Sequence, residues 1–397
     1  MSLAPIRLAF PLIGRGLWTG GLVYLKNTLQ LIRSRLAREI EASVFLSPAE
    51  HSKFGAELGA LVDGRLIVDP AIGDSGRGRS LARALVTGRD FALERILCAA
   101  RVDVVLEVGQ FYGARFGLPV IAWLPDLQHR WMPEMFTRTN WWRRDIAFRM
   151  QIRSGRTLML SSEAARDDME RFYPRSRGHG HVVRFAVDLD IAGYSARATE
   201  IRVGYGLPAR FLFLPNQFWR HKNHAVIVAA LGRLKKEGTL GIVPPVILSG
   251  SNQDMRNPGN FVALMNTVQE AGVESHFQYL GFIPYDHVIG LAACCEALVN
   301  PSRFEGWSTP IEEAKAVGAP LMLSDIPIHR EQAPDAQFFD PISSEAAAKL
   351  LLEIARRPYL ARASLDNLIV EQNRRLDNHA ACLLEAVRAA VRRPGCN

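Results

Sequence analysis

Short apolar runs alternate with stretches of helical period along most of the chain. In the first half, apolar runs fall at residues 6–10, 42–46, 66–68, 102–107, 120–123 and 157–160. Between them lie helical patterns such as Leu22, Leu25, Leu29 and Ile32, which recur on one face. The second half repeats the scheme: a run at 211–214, a helix whose face is Val226, Ala229, Ala230 and Leu234, then further runs at 245–251, 277–281, 297–300 and 321–324. Strands that alternate with helices predict an α/β protein with doubly wound parallel sheets. The reading divides the chain into a first domain over 1–187, a linker over 188–209, a second domain over 210–370 and a closing helix over 371–397. The linker assignment rests on weak periodicity after residue 191 and on Gly193, Gly204, Gly206 and Pro208.

Length and composition agree with two domains, because 397 residues at 48% hydrophobic content can fill two separate cores. The net charge of +8 is uneven. Residues 1–200 hold 28 basic and 21 acidic side chains, whereas residues 201–397 hold 20 and 19. A basic first half implies an anionic partner there: a phosphorylated acceptor or an anionic membrane surface, with nucleic acid excluded for want of any recognition motif. The five cysteines show no metal-ligand spacing and an odd count, which suits a reducing cytoplasm. No apolar run reaches the ~18 residues of a spanning helix, so the expected membrane contact is peripheral. The segment TRTNWWRRDIAFRM, with Trp141 and Trp142 among Arg138, Arg143, Arg144 and Arg149, suits such an interface or a lipid-phosphate acceptor; an arginine-studded helix with two core tryptophans is the plainer reading.

The chemistry concentrates in residues 300–320, NPSRFEGWSTPIEEAKAVGAP. An apolar strand ends in Asn-Pro-Ser, a loop carries Glu305, Gly306 and Trp307, and a helix is expected to begin with Thr309 as N-cap, Pro310 at the first position and Glu312 closing a capping box. A helix start of this kind offers backbone N–H groups to phosphate. Glu305 and Glu313 flank that position, and carboxylates accept hydrogen bonds from hydroxyls. An anion between two polyols describes a nucleotide sugar.

The frame Pro-Ser-x-x-Glu-Gly-x-x-x-Pro-x-x-Glu-Ala, followed by Gly-x-Pro, is matched by Pro301, Ser302, Glu305, Gly306, Pro310, Glu313, Ala314, Gly318 and Pro320. It resembles the signature of glycosyltransferase family 4, retaining enzymes of the GT-B fold. The resemblance implies two Rossmann-like domains facing a cleft, with the last helix returning to the first domain. It also implies a nucleotide-sugar donor, a glycan or lipid-linked acceptor and no metal or other cofactor. Asp188 and Asp190 form an Asp-x-Asp, but at a domain end they read as linker acids rather than metal ligands.

The resemblance also implies residue roles. Gly20 and Gly21, at a turn between the first strand and helix, would face the donor. Asp126 and His129, in an Asp-x-x-His loop at a strand end, would supply acid–base or sugar contacts. Lys222 would neutralise the diphosphate with help from Arg220, because Gln217 stands where the family usually has arginine; Asn216 lies in the same loop. Gly250 ends a strand near the donor, and the backbone of Ile283 would read the base. Glu305 would hold the sugar, Glu313 the ribose, and the N–H groups of Trp307, Ser308 and Thr309 the phosphates. A GT-B epimerase and a non-catalytic nucleotide-sugar-binding protein remain open alternatives.

Overall fold

The computed structural model describes residues 4–12, 19–73, 77–108, 110–254, 256–358 and 362–392. Seven strands form the first sheet: β1 Ile6–Pro11, β2 Ile40–Leu46, β3 Leu66–Val68, β4 Val104–Val108, β5 Val120–Leu124, β6 Thr157–Leu160 and β7 Gly180–Val182. Six form the second: β8 Leu212–Leu214, β9 Val246–Leu248, β10 Phe277–Tyr279, β11 Ala297–Asn300, β12 Leu321–Ser324 and β13 Gln337–Phe339. All paired strands run parallel. The first sheet has the order β3-β2-β1-β4-β5-β6-β7 and the second β10-β9-β8-β11-β12-β13. In each, the first strand has its sequence neighbour on one side and a later strand on the other. This is the doubly wound order, in which ligands gather beyond the carboxyl ends of the two strands flanking the reversal.

The chain divides into two compact units, one of Met1–Asp188 with Arg374–Asn397 and one of Leu189–Asn373. In the second unit the alternation of strand side chains sorts the core. Leu212, Leu214, Val246, Leu248 and Val299 pack on one face with the helices His224–Lys236 and Ser344–Arg356; Phe211, Phe213, Ile247 and Leu298 pack on the other with Tyr285–Cys294. A sheet covered on both faces needs apolar residues at successive positions, which is why these strands read as continuous runs.

Three expectations need correction. Residues 191–204 are a helix and not a linker: Asp190 Oδ1 caps it by accepting from the Gly193 N–H at 3.0 Å, and Ile201 packs into the second core beside Tyr285–Cys294. Its weak period comes from burying only Ile191, Ala198 and Ile201. The strand β13, which pairs with β12 over residues 337–339, escaped the pattern because it opens on the polar Gln337 and only Phe339 is fully buried. The closing helix spans Leu365–Arg392, beginning before the expected residue 371. In the first unit its His379 accepts the Ala186 N–H at 3.2 Å.

Candidate active site

In the second unit, β8 and β11 are neighbours at the reversal, so the loops that follow them emerge side by side. Buried amides stitch the two together. Asn216 Nδ2 donates to Asn300 Oδ1 at 3.1 Å, and Asn300 Nδ2 donates to Ser308 Oγ at 2.9 Å. Asn300 Oδ1 also accepts from the Ser302 N–H and hydroxyl. Asn223, in the left-handed conformation at φ 59°, donates to the carbonyls of Pro301 and Pro341. Such fully satisfied buried networks hold one geometry.

That geometry brings Lys222 and Glu305 together. Lys222 Nζ lies 2.7 Å from Glu305 Oε1, and both side chains are largely enclosed. Burial alone would raise the Glu305 pKa, but Lys222, then His221 and His329, outweigh it and hold the carboxyl at about 2. Glu305 is therefore a carboxylate throughout the physiological range. Glu313, eight residues on, has no ion pair among the described residues and is 5% exposed. Burial pushes it up to about 7, with the facing Tyr285 hydroxyl pulling the other way. The two glutamates thus differ in charge state because one has a cation beside it.

The helix after the loop is Thr309–Ala316, with Ser308, not Thr309, in the capping position and no capping box. Glu312 is turned inward to Lys315 at 2.9 Å and to Gln332 Nε2 at 3.0 Å. Gln332 also clamps Ser308, accepting its N–H at 3.1 Å and donating to its carbonyl at 2.8 Å. Hence the Ser308 N–H is committed and cannot hold phosphate as expected. Thr309, in the first helical turn, keeps an N–H without an intrahelical acceptor. Gly306 and Trp307 are half-buried in the loop, Gln217 is half-buried and Arg220 is exposed.

Gly250 follows β9 at φ 138°, where a Cβ would stand 2.6 Å from the Asn216 carbonyl. Its N–H donates to the Gly281 carbonyl at 3.0 Å, which ties the loop after β9 to the turn at Gly281. Ile283 buries its side chain in the core and leaves only its backbone for a ligand. His329, absent from the sequence reading, is wholly buried beside the ion pair, its Nδ1 2.9 Å from the Ser324 carbonyl. It and Gln332 lie three apart on the helix Pro327–Gln332, one face of which backs the Glu305 loop. Their spacing is a signal, although a six-residue helix shows too little of it.

The first unit places its candidates differently. Gly20 and Gly21 lie in the first turn of the helix Thr19–Arg35 and not in a preceding turn; residues 13–18 lie outside the described residues. Asp126 binds Arg144 at 2.6 Å and caps the Gln128 N–H at 2.8 Å. His129 has no exposed surface and is ringed by Phe136, Trp141 and Phe148. Its Nε2 lies 3.0 Å from the Tyr173 hydroxyl, which donates to Asp145 at 2.6 Å. Asp145 is itself held by Arg130 and Arg149. Asp145 is acceptor-only and accepts the Tyr173 O–H, so the Tyr173 oxygen accepts from His129 Nε2–H. Burial, then Arg144, pushes the His129 pKa down to about 4. The expected acid–base pair is thus a buried, neutral ring and an ion-paired carboxylate, and in this arrangement they brace their loop from within.

Among the described residues, no group of three or more His, Cys, Asp or Glu side chains could hold a metal ion, and Asp190 is engaged as a helix cap. Nor is any helix among them long and apolar enough to cross a membrane.

Comparison with known proteins bears on the second unit first: residues 202–372 match the family model described as glycosyl transferases group 1. O-antigen chain mannosyltransferase B of Escherichia coli is 31% identical over 91 residues, which span 23% of this chain and 24% of that protein. Whole-chain similarity is structural. A glycosyltransferase from Rickettsia africae superposes with a TM-score of 0.67 at 13% identity, covering 98% of this chain and 100% of that one. Anabaena HepE, solved in complex with UDP and glucose, has a TM-score of 0.61 at 16% identity, covering 97% of each chain. At such identities the likeness speaks for the fold alone. The doubly wound sheets, the matched motif and these neighbours agree: the chain resembles the glycosyl transferases of group 1 and has the GT-B fold.

Proposed function

We propose that this chain is a glycosyltransferase that moves a sugar from a nucleoside-diphosphate sugar to a hydroxyl of a glycan or lipid-linked acceptor. The observation that carries the proposal is the Lys222–Glu305 pair at the order reversal of the second sheet, with Glu313 one turn into the helix that follows the Glu305 loop. An ammonium at this point balances the charge that grows on a departing diphosphate, and groups fixed before the reaction do so without reorganising. Lys222 is so fixed, by its contact with Glu305. Arg220, exposed in the same loop, supplies a second cation where Gln217 replaces the usual one. Glu305 accepts from sugar hydroxyls, the Thr309 N–H meets a phosphate oxygen, and Glu313 accepts from the ribose diol.

Retention of anomeric configuration through front-face attack is the course that the motif's resemblance to family 4 implies. The commitment of Asp126 and His129 within the first unit favours transfer over isomerisation, which would need free acid–base groups. Reaction without a metal fits Lys222 in the charge-balancing role. The likeness to an O-antigen mannosyltransferase over 91 residues, and to a fold neighbour that holds UDP and glucose, supports a role in surface polysaccharide assembly from a nucleotide-sugar donor. A lipid-linked acceptor would go with a cytoplasmic enzyme in peripheral contact with the membrane's inner face.

The test is turnover. Incubation of a glycan or lipid-linked acceptor with a panel of UDP-, GDP- and ADP-sugars in excess chelator should release one nucleoside diphosphate, with Lys222→Ala slower by about a hundredfold, the usual weight of one charge-stabilising donor. Activity that disappears in chelator and returns with magnesium or manganese would overturn the metal-free reading. An isomerised sugar formed from donor alone would replace transfer with epimerisation.

A further inference from the structure

The helix Arg138–Arg153 has two different faces. Inward, Trp141 Nε1 donates to the His129 carbonyl at 2.6 Å, Arg144 holds Asp126, and Asp145 and Phe148 are buried. Outward, at 100° per residue, Arg138, Arg149, Trp142, Arg153, Ile146 and Arg143 fall within an arc of about 140°. All six are exposed, Trp142 to 57% and Ile146 to 48%. The helix has one acidic residue, Asp145, and it is completely buried. Among the described residues Arg138, Arg143 and Arg153 have no ion pair. A solvated helix face ordinarily mixes both signs of charge; this one is cationic with an apolar centre.

We propose that this outward face docks the chain on an anionic lipid surface. The arginines complement lipid phosphates and anionic headgroups, and Trp142 suits the headgroup boundary. Ile146 decides among anionic partners. It neither stacks on a base nor bonds a phosphate, and it gains only by leaving water for an apolar phase. Because the inner face of the same helix holds Asp126 and the His129 loop, docking sets that loop directly behind the lipid contact. The helix belongs to the first unit and the Lys222–Glu305 pair to the second, and none of its six outward residues has a role in the proposed transfer, so this inference stands or falls independently of glycosyl transfer.

Flotation of the full chain with vesicles tests it. The chain should float with phosphatidylglycerol-containing vesicles at about 0.1 M salt and stay behind with pure phosphatidylcholine. The variant R138Q/R143Q/R153Q, which removes three unpaired surface charges, should lower partitioning roughly a hundredfold, at about fivefold per arginine. W142S/I146S should lower it about tenfold and remove the blue shift of tryptophan fluorescence on vesicles. Unchanged far-UV dichroism and melting temperature certify both variants as folded. Equal flotation with both lipids, no flotation with either, or variants that float like the wild type would overturn the proposal. So would binding to RNA or an acidic protein without vesicle binding.

Discussion

Glu313 and Glu305 share a side chain and a sequence motif but not a charge state, and the difference follows from one neighbour. Lys222 stands 2.7 Å from Glu305 and holds it ionised, whereas Glu313 is pushed up to about 7 by burial. Hydroxyl groups donating to Glu313 favour its ionised form, so a nucleotide that binds there expels a proton. Affinity should therefore rise with pH toward about 7 and level off above it, and Glu313→Gln should remove that component in calorimetric titrations. Glu313→Ala should weaken nucleotide binding by about 1–3 kcal/mol, the cost of leaving buried hydroxyls unpaired. The motif spacing made both glutamates legible from sequence. Their unequal protonation was not, because it depends on which loop Lys222 meets. His129 is the opposite case: an Asp-x-x-His pattern looks the same whether its imidazole faces solvent or, as here, sits among Phe136, Trp141 and Phe148.

At the scale of elements, the strands that line the site were the most legible part, since a doubly covered sheet demands unbroken apolar runs. What escaped were short or sparsely buried pieces: β13, the helix Ile191–Gly204 and the six-residue helix carrying His329 and Gln332. The capping box failed for a related reason. Glu312 found Lys315 and Gln332, partners 3 and 20 residues away, which local pattern does not reveal. The loops after β8 and β9 fit so closely that Gly250 tolerates no side chain. Gly250→Ala should cost about 3 kcal/mol, combining a disfavoured φ with a clash against the Asn216 carbonyl, read as a lowered urea midpoint. An unchanged midpoint would mean that the two loops are not locked together.

For the whole molecule, two doubly wound parallel sheets were legible as a repeated alternation of strands and helices and the GT-B fold came from the motif resemblance, whereas the strand order that the two sheets share was not legible. Four of the five buried histidines among the described residues add a property that no motif announces. Burial holds His129 and His329 at about 4 and His224 and His379 at about 3, below the ordinary 6.5. The unfolded chain binds these protons first, so their contribution to stability is complete above about pH 6.5 and is lost as the pH falls toward 4. Glu313 runs the other way, its contribution present below about 4.5 and lost as the pH rises to about 7. With four groups against one, the urea midpoint should fall steadily from pH 7 to pH 5; a midpoint that rises on acidification would contradict the buried, neutral histidines.

The central claim is that the Lys222–Glu305 corner of the second unit holds a nucleoside diphosphate. A thermal-shift panel of UDP, GDP, ADP and CDP tests it most directly. The account predicts that one of them raises the melting temperature of the wild type and leaves Lys222→Ala unmoved. A panel that stabilises neither protein, or one that stabilises both equally, would contradict it.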